Sequence, residues 1–256
     1  MSRSHRRVAA VTGATSGIGR ATALELLEQG HWSVVGCGRR AQRLSELEAE
    51  AARADKLFAG LAADVAEASL VQRLSDLAQQ RTGLAPTLFV LSAGRGLRGT
   101  LLTSDEQAWP QLFETNVLAL FGQMRDCARL LLADTASAEA GVPRDIVVIG
   151  STAGRTVSSA NPVYGATKFA LHSVVESLRQ EVAPSGVRVT LVEPGFVRSG
   201  FQEVAAYEQA FMRQVEADCG PLLVPEDVAR AIAFAVSQPA HVHIDDIRLR
   251  PTRQKI

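Results

Sequence analysis

Short apolar runs alternate along this chain with longer amphipathic segments. The apolar runs are four to seven residues long, as is typical of strands covered on both faces of a sheet, and they lie at 8–12, 33–36, 56–62, 87–91, 145–149 and 188–192. The longer segments have helical spacing and lie at 19–29, 41–53, 70–82, 105–133 and 164–183. Because strands that alternate with helices are joined by right-handed crossovers, the pattern predicts an α/β fold, a doubly wound parallel sheet with helices on both faces.

The remaining segments complete this picture. A last helix is expected after the Pro-Glu-Asp triplet at 225–227, since an early proline and acidic residues favour a helix start. Residues 134–144 are interpreted as a surface insertion, and residues 242–253 as a last strand with an extended end. Residues 196–223 carry aromatic side chains among polar ones, which is typical of a mobile cover over a ligand or of an ordinary helical excursion. No linker interrupts the chain, so we expect one domain over residues 1–256.

Composition narrows the class of protein. The chain is 46% hydrophobic, and its 27 Lys and Arg residues balance 27 Asp and Glu residues, so no global field attracts nucleic acid or an anionic membrane. The basic residues 1–7 lack the apolar core of a signal peptide, and no run approaches the roughly 20 apolar residues that span a bilayer. The three cysteines lack metal-binding spacing, which indicates reduced thiols and no metal. We therefore expect a cytoplasmic protein with a small-molecule substrate and no nucleic-acid or membrane partner.

A glycine-rich turn follows the first predicted strand. It reads Thr-Gly-Ala-Thr-Ser-Gly-Ile-Gly over residues 12–19 and runs directly into a predicted helix. Gly13 would allow a sharp turn, Gly17 would let the backbone approach a pyrophosphate, and Gly19 would let the helix pack closely on the strand. The phosphates would lie at the positive end of the helix. A purely structural turn is the alternative. If the turn binds a dinucleotide, contacts are expected from Gly13, Thr15, Ser16, Gly17, Ile18 and Gly19.

The Thr-Gly-x-x-x-Gly-x-Gly spacing is wider than the usual dinucleotide fingerprint and resembles that of the short-chain dehydrogenase/reductase family. The resemblance implies a single-domain Rossmann fold that binds a nicotinamide cofactor. Where NAD-selective sites place a carboxylate, the second strand ends in Gly38-Arg39-Arg40. A guanidinium binds a 2′-phosphate through charge-assisted hydrogen bonds, and Arg39 matches the position at which NADP-preferring members carry arginine. We therefore predict NADP(H) as the cofactor and interpret Arg40 and Arg43 as solvated.

The resemblance implies further cofactor contacts. Asp64 is expected to accept a hydrogen bond from the adenine amino group, with helix N-capping as the alternative. Where the family usually reads Asn-Asn-Ala-Gly, this chain has Leu-Ser-Ala-Gly at 91–94, so weaker bracing between sheet and helix is expected. The other expected cofactor contacts are Val65, Ser92, Ala93, Gly94, Pro194, Gly195 and Val197.

Tyr164 and Lys168 begin a strongly helical segment, and their spacing of four places both side chains on one face. A phenol with a pKa of about 10 is a poor base, and a nearby ammonium would lower that pKa. Lys168 would also bind ribose hydroxyls of the cofactor. Ser151 lies thirteen positions before Tyr164, which is the family's spacing, so the resemblance implies that its hydroxyl binds the substrate oxygen. A capping role is the alternative. Asn116 resembles the fourth catalytic residue, which in the family lies at a helix irregularity and holds a proton-relaying water.

Together these motifs imply an NADP(H)-dependent oxidoreductase that interconverts a carbonyl and an alcohol by hydride transfer, with Tyr164 as general acid or base. The main alternative is a non-catalytic NADP sensor, although such a protein would be expected to lose Tyr164 or Lys168. An epimerase or dehydratase on the same scaffold is a second alternative. A nucleotide-sugar epimerase usually needs a larger substrate domain than 256 residues permit.

The substrate pocket is expected to contain several arginines, which favour an acidic or polar carbonyl substrate unless they are solvated loop charges. The pocket candidates are Arg95, Leu97, Arg98, Arg155, Val157, Phe196, Arg198 and Phe201. The C-terminal Ile-Arg-Leu-Arg-Pro-Thr-Arg pattern resembles an NADP-dependent subgroup that includes 3-hydroxy acid dehydrogenases and clavulanate-pathway aldehyde reductases. Members of the family commonly form tetramers through two long helices, here 105–133 and 164–183, so we expect a homotetramer or homodimer.

Overall fold

Seven strands form one parallel sheet in the computed structural model, which describes residues 7–205 and 207–255. Their order across the sheet is β3-β2-β1-β4-β5-β6-β7, and every neighbouring pair is parallel. The strands are β1 Arg7–Thr12, β2 Trp32–Gly38, β3 Phe58–Ala62, β4 Leu88–Leu91, β5 Arg144–Ile149, β6 Val187–Pro194 and β7 Asp246–Leu249. The six strands predicted from the apolar runs and the predicted C-terminal strand are all present, so the doubly wound parallel sheet is confirmed.

Helices cover both faces of this sheet. They are α1 Gly17–Glu28, α2 Ala41–Arg53, α3 Leu70–Thr82, α4 Trp109–Phe113, α5 Ala119–Ala133, α6 Thr135–Glu139, α7 Pro162–Val182, α8 Phe201–Val204, α9 Gln209–Cys219 and α10 Pro225–Val236. No helix in the described ranges is both long enough and apolar enough to cross a bilayer.

The apolar residues of each strand divide between two cores because successive side chains point to opposite faces of the sheet. From β1, Val8 and Ala10 belong to the core beneath α3, α5 and α7, whereas Ala9 and Val11 belong to the core beneath α1, α2 and α10. Both sets are fully or almost fully buried. This two-sided burial explains why the predicted strands are continuously apolar rather than alternating.

The predicted single helix over 105–133 is interrupted in the structure. A short 3-10 turn at Glu106–Ala108 leads into α4, and a π-helical turn at Glu114–Leu118 separates α4 from α5. Asn116 lies at the centre of the π turn and is 1% exposed. A π turn widens a helix by one residue per turn and is frequently found at functional sites. The helical spacing of the sequence does not reveal this widening, because it changes the register by only one residue.

For two other segments the structure adds detail to the interpretation of the sequence. Residues 134–144, interpreted as an insertion, contain the short helix α6, and Arg144 is buried as the first residue of β5. Residues 196–223 form α8 and α9, and the two ends of the segment are joined by the hydrogen bonds Leu223 N to Phe196 O at 3.2 Å and Arg198 N to Leu223 O at 2.7 Å. The segment is therefore a closed excursion from the sheet edge.

The sheet also determines where a ligand can bind. β1 lies between β2 and β4, so the chain leaves β1 toward one edge of the sheet and later returns to build toward the other. Crevices outside the carboxyl ends of strands at such a switch point are the usual ligand sites of open α/β sheets. The turn after β1 and the residues after β4 meet at this point.

Candidate active site

A cavity of about 690 Å³ lies at the carboxyl ends of the strands. It is bounded by the turn after β1, the residues that follow β2 to β6, the start of α7, the 196–212 segment and Gln254 near the C-terminus. Most of the predicted site residues line it: Gly13, Thr15, Ser16, Gly17, Ile18, Arg39, Asp64, Val65, Ser92, Ala93, Gly94, Ser151, Tyr164, Lys168, Pro194, Gly195 and Val197. Gly19 and Asn116, the other two predicted residues, are buried behind this lining.

The glycine turn has the backbone geometry that its sequence predicts. Gly13 and Gly17 have φ values of +71° and +53°, a left-handed region that other residues rarely adopt. A Cβ on Gly19 would lie 2.5 Å from the Gly13 carbonyl oxygen, so any side chain there would push α1 away from the turn. The first turn of α1 contains no acidic residue. The N-terminus of α1 therefore faces the cavity with its positive end uncompensated by a carboxylate in that turn.

Two arginines line the cavity at the end of β2. Arg39 and Arg40 are both exposed, and Arg40 donates hydrogen bonds to the carbonyl and hydroxyl oxygens of Thr15 at 3.3 and 3.1 Å. The interpretation of Arg40 as merely solvated was wrong, because this contact holds it against the glycine turn. Arg43, in contrast, forms an ion pair with Glu46 at 3.1 Å and does not line the cavity.

Asp64 lines the cavity but is not a helix N-cap. Its carboxylate accepts a hydrogen bond from Ala66 N at 3.0 Å and closes a short turn, and α3 begins only at Leu70. The carbonyl oxygen of the next residue, Val65, accepts a hydrogen bond from Gln123 of α5 at 2.8 Å. These contacts hold the 64–65 pair at the rim of the cavity.

The end of β4 is braced by Thr12 rather than by an asparagine. The Thr12 hydroxyl oxygen accepts hydrogen bonds from the backbone N–H groups of Ser92 and Ala93, at 3.0 and 3.2 Å. Asn116 braces the next part of the loop, since its side chain accepts from Arg95 N and donates to Arg95 O, both at 2.8 Å. The backbone of the loop after β4 is therefore held by a threonine of the neighbouring strand and by the asparagine of the π turn.

Ser151, Tyr164 and Lys168 converge on one wall of the cavity. Ser151 lies two residues after the end of β5, and α7 carries Tyr164 and Lys168. The Nζ atom of Lys168 is 5.8 Å from the centre of the Tyr164 ring. Lys168 donates a hydrogen bond to the Ile149 carbonyl oxygen at 3.0 Å. Ser151 also accepts from Ala153 N at 3.1 Å, so the capping role and the position beside Tyr164 coexist in one residue.

Burial controls the ionisation of this group. It raises the pKa of Tyr164 above that of a free phenol, and the hydrogen bond with Ser151 offsets only part of this rise. Burial also lowers the pKa of Lys168 to about 8. The lower phenol pKa expected from the sequence is therefore wrong for the protein by itself, because the cost of burying a phenolate exceeds the stabilisation that its neighbours provide. Tyr164 is therefore protonated at neutral pH, as a free phenol also is.

His172 contacts the backbone of Ser151 and was not among the site residues predicted from the sequence. It lies one turn after Lys168 on α7, and its Nε2 atom accepts a hydrogen bond from Ser151 N at 3.4 Å. A Cβ on Gly154 would lie 2.4 Å from the imidazole, so the ring fills the space that this glycine leaves. Burial lowers the pKa of His172 to about 4, which keeps the ring neutral and able to accept.

The cover of the cavity is aromatic near the tyrosine. Phe201 packs edge-on against Tyr164 with ring centres 5.9 Å apart, and Tyr207 stacks on Phe211 at 5.4 Å. Beside them, the side-chain amide of Gln202 donates to the Val197 carbonyl oxygen. The aromatic content of 196–223 was visible in the sequence, but nothing in the sequence indicated the role of this glutamine.

Most of the expected pocket arginines are occupied elsewhere. Arg98 forms an ion pair with Glu208 at 2.6 Å, and Arg198 forms one with Glu216. Arg155 pairs with Glu193 and Asp246, at 2.6 and 2.8 Å. Arg95, the fourth expected pocket arginine, is the one of the four that lines the cavity. Among the apolar candidates, Phe196 and Phe201 line the cavity, Leu97 packs beside Tyr164, and Val157 is 87% exposed. The alternative of exposed loop charges therefore fits Arg98, Arg155 and Arg198 better than a role around one substrate.

Comparison with known proteins agrees with this geometry. The family model for short chain dehydrogenases matches residues 7–210. Dehydrogenase/reductase SDR family member 11 of Homo sapiens is 33% identical, with 99% of this chain and 97% of that protein covered. An uncharacterized oxidoreductase of Staphylococcus epidermidis is 30% identical, with 98% of this chain and 100% of that protein covered. The closed form of serine dehydrogenase complexed with NADP+ is 29% identical with a TM-score of 0.81, covering 97% of this chain and 96% of that chain. Because the family model spans well over half of the chain, this protein belongs to the short-chain dehydrogenase/reductase family of oxidoreductases.

Proposed function

We propose that this protein is an NADP(H)-dependent oxidoreductase that interconverts a small carbonyl compound and its alcohol, with Tyr164 as the general acid and base. The observation that carries the proposal is the convergence of Ser151, Tyr164 and Lys168 on the same cavity as the glycine turn and Arg39. A non-catalytic sensor would need the turn and the arginine but would have no use for Ser151, Tyr164 and Lys168.

The cavity residues fit a phosphorylated dinucleotide. The left-handed Gly13 and Gly17 leave the turn without side chains at these two positions, and the N-terminus of α1 adds a positive end. Arg39 would bind the 2′-phosphate at the other rim, where a carboxylate would favour NAD. The serine dehydrogenase structure that is 29% identical to this chain is a complex with NADP+, which supports the same preference here.

The chemistry divides between the cofactor and three side chains. The bound nicotinamide supplies or accepts the hydride. Ser151 would hold the substrate oxygen by a hydrogen bond and stabilise charge that develops on it. Tyr164, kept protonated by burial, would donate its hydroxyl proton to that oxygen during reduction and recover it during oxidation. Lys168, buried beside the ring, would favour the phenolate whenever Tyr164 gives up its proton.

Assembly is a related proposal. Several large apolar side chains are exposed on the elements through which the family's tetramers form, namely Phe113, Leu118, Leu132 and Phe169, at 38 to 60% exposure. Apolar side chains grouped on neighbouring helices are typical of an interface. We propose that two copies or more associate through this surface, which the mass of the native particle in solution would test.

The test of the proposed function is Tyr164→Phe. Phenylalanine preserves the packing against Phe201 and removes only the exchangeable proton, so we expect at least a hundredfold loss of NADPH oxidation with a responsive carbonyl substrate. NADPH affinity, measured by fluorescence titration, is expected to change little. Turnover that survives in Tyr164→Phe would assign the proton to another group. Failure of the wild type to bind either NADPH or NADH would refute the cofactor site itself.

A further inference from the structure

The C-terminal residues return to the cavity from the far edge of the sheet. After β7 the chain turns back, with a hydrogen bond from Gln254 N to Pro251 O at 2.9 Å. The Gln254 side chain then lines the cavity, and its Oε1 atom accepts a hydrogen bond from Phe196 N at 3.0 Å. A residue only two positions from the C-terminus is thus part of the wall beside residues 195–197.

Gly195 is shaped to accept this contact. A Cβ on Gly195 would lie 2.3 Å from Gln254 Oε1 and 3.0 Å from Arg250 Cγ, so the missing side chain leaves the space that the C-terminal segment fills. The backbone agrees with this arrangement, because Gly195 N donates to the Leu249 carbonyl oxygen at 2.8 Å. Two successive N–H groups after β6 are therefore bound by the C-terminal segment.

The same short stretch is held from its other side. Leu223 N donates to the Phe196 carbonyl oxygen at 3.2 Å, and Val197 pairs with Leu223 in an isolated parallel bridge. The peptide groups around Phe196 are thus fixed between the end of the 196–223 segment and Gln254. Removing the side-chain amide of Gln254 would leave Phe196 N–H without its acceptor. The stretch around Phe196 would then be held only by its contacts with Leu223.

We propose that Gln254 is a positioning residue for the nicotinamide end of the cofactor. It acts through Phe196 N–H, which sets the backbone of residues 195–197 where the nicotinamide would bind. The inference rests on the proposed function, because it takes that end of the cavity as the nicotinamide site. Hydride transfer depends on close alignment of donor and acceptor, so a small displacement of this backbone lowers turnover as well as affinity.

The inference predicts an effect confined to one end of the cofactor. The 2′-phosphate and adenosine would be bound by residues after β1, β2 and β3. Within the described part of the chain, none of these residues forms a hydrogen bond with Gln254, whose side chain is bonded to Phe196 N. The probe is therefore a pair of ligands, NADPH and 2′,5′-ADP, of which only NADPH carries the nicotinamide. The ratio of their affinities, measured on one sample, is independent of the folded fraction.

Two variants separate the hydrogen bond from packing. Gln254→Met keeps the length of the side chain without an acceptor, and Gln254→Glu keeps an acceptor oxygen. We expect Gln254→Met to weaken NADPH binding about tenfold and to lower kcat, with 2′,5′-ADP binding unchanged. Gln254→Glu is expected to recover most of both losses. Lys255→Ala, an exposed neighbour outside the cavity, is the control and is expected to match the wild type.

Each other outcome overturns the inference. Equal weakening of both ligands in Gln254→Met would indicate general damage to the fold, and identical losses in the Met and Glu variants would indicate packing alone. An unchanged NADPH affinity with unchanged kcat would remove any role for Gln254 while leaving the proposed function intact. If the wild type binds NADPH no more tightly than 2′,5′-ADP, the nicotinamide contributes nothing to affinity. That result would contradict the nicotinamide site and with it the proposal.

Discussion

The preference for NADP(H) can be tested at Arg39, because this side chain is exposed at the cavity rim and its neighbour Arg40 is already bound to Thr15. Arg39→Ala removes a guanidinium that would bind the 2′-phosphate. Hydrogen bonds between charged groups contribute about 1.5–3 kcal/mol each when shielded from water. Since Arg39 is exposed, solvent screening reduces this to about 1–2 kcal/mol, which corresponds to a loss of roughly 5- to 30-fold in NADPH affinity.

The assay is a fluorescence titration of NADPH and NADH into the wild type and Arg39→Ala. The NADPH dissociation constant is expected to rise by this factor, while the NADH constant stays the same because NADH has no 2′-phosphate. Arg43→Ala is the matched control, since Arg43 is paired with Glu46 and lies outside the cavity. The effect of Arg39 is expected to shrink at high salt, as screening weakens exposed charge pairs.

Two results would refute this reasoning. Equal affinity of the wild type for NADPH and NADH would show that neither rim arginine selects the phosphate. An equal loss for both cofactors in Arg39→Ala would show that the guanidinium supports the adenosine or the loop rather than the phosphate.

Two further predictions concern the buried polar groups around the cavity. Thr12→Val leaves the N–H groups of Ser92 and Ala93 without their shared acceptor, so the free energy of unfolding is expected to fall by about 2 kcal/mol. The control is Thr22→Val, which removes a buried hydroxyl with no partner among the described residues. This control is expected to lower the free energy of unfolding much less. Burial lowers the pKa of Lys168 from 10.5 to about 8, so between these values the unfolded chain binds more protons than the folded protein and stability rises with pH. Measured as urea unfolding at about pH 7 and about pH 9.5, the wild type is expected to gain about 2 kcal/mol relative to Lys168→Met, and a constant difference between the two proteins would contradict the lowered pKa.

The order of the strands along the chain and most of the residues that line the cavity could be predicted from the sequence, and the reasons are local. A strand buried on both faces is apolar along most of its length, so the apolar run at 145–149 predicts a buried strand. The glycine turn needs a left-handed backbone at Gly13 and Gly17, and only glycine adopts it easily. Tyr164 and Lys168 share a helix face because of their spacing alone.

Interactions between distant parts of the chain could not be read in the same way. The sequence shows four arginines near the expected pocket, but whether each is free depends on acids far away in the chain, as Arg155 depends on Glu193 and Asp246. The side chain of Asn116 in the π turn likewise forms hydrogen bonds with the backbone of Arg95, which belongs to a different part of the chain. No local pattern contains either partner.

What the sequence determined by itself is therefore the fold class and the set of residues able to carry the chemistry, since periodicity and turn geometry are properties of neighbouring residues. Only the tertiary structure decided how that set ionises and what supports it. Burial, which depends on the whole fold, raises the pKa of Tyr164 and lowers that of Lys168. The return of the C-terminus to Phe196 through Gln254 likewise exists only because β6 and β7 are neighbours in the sheet.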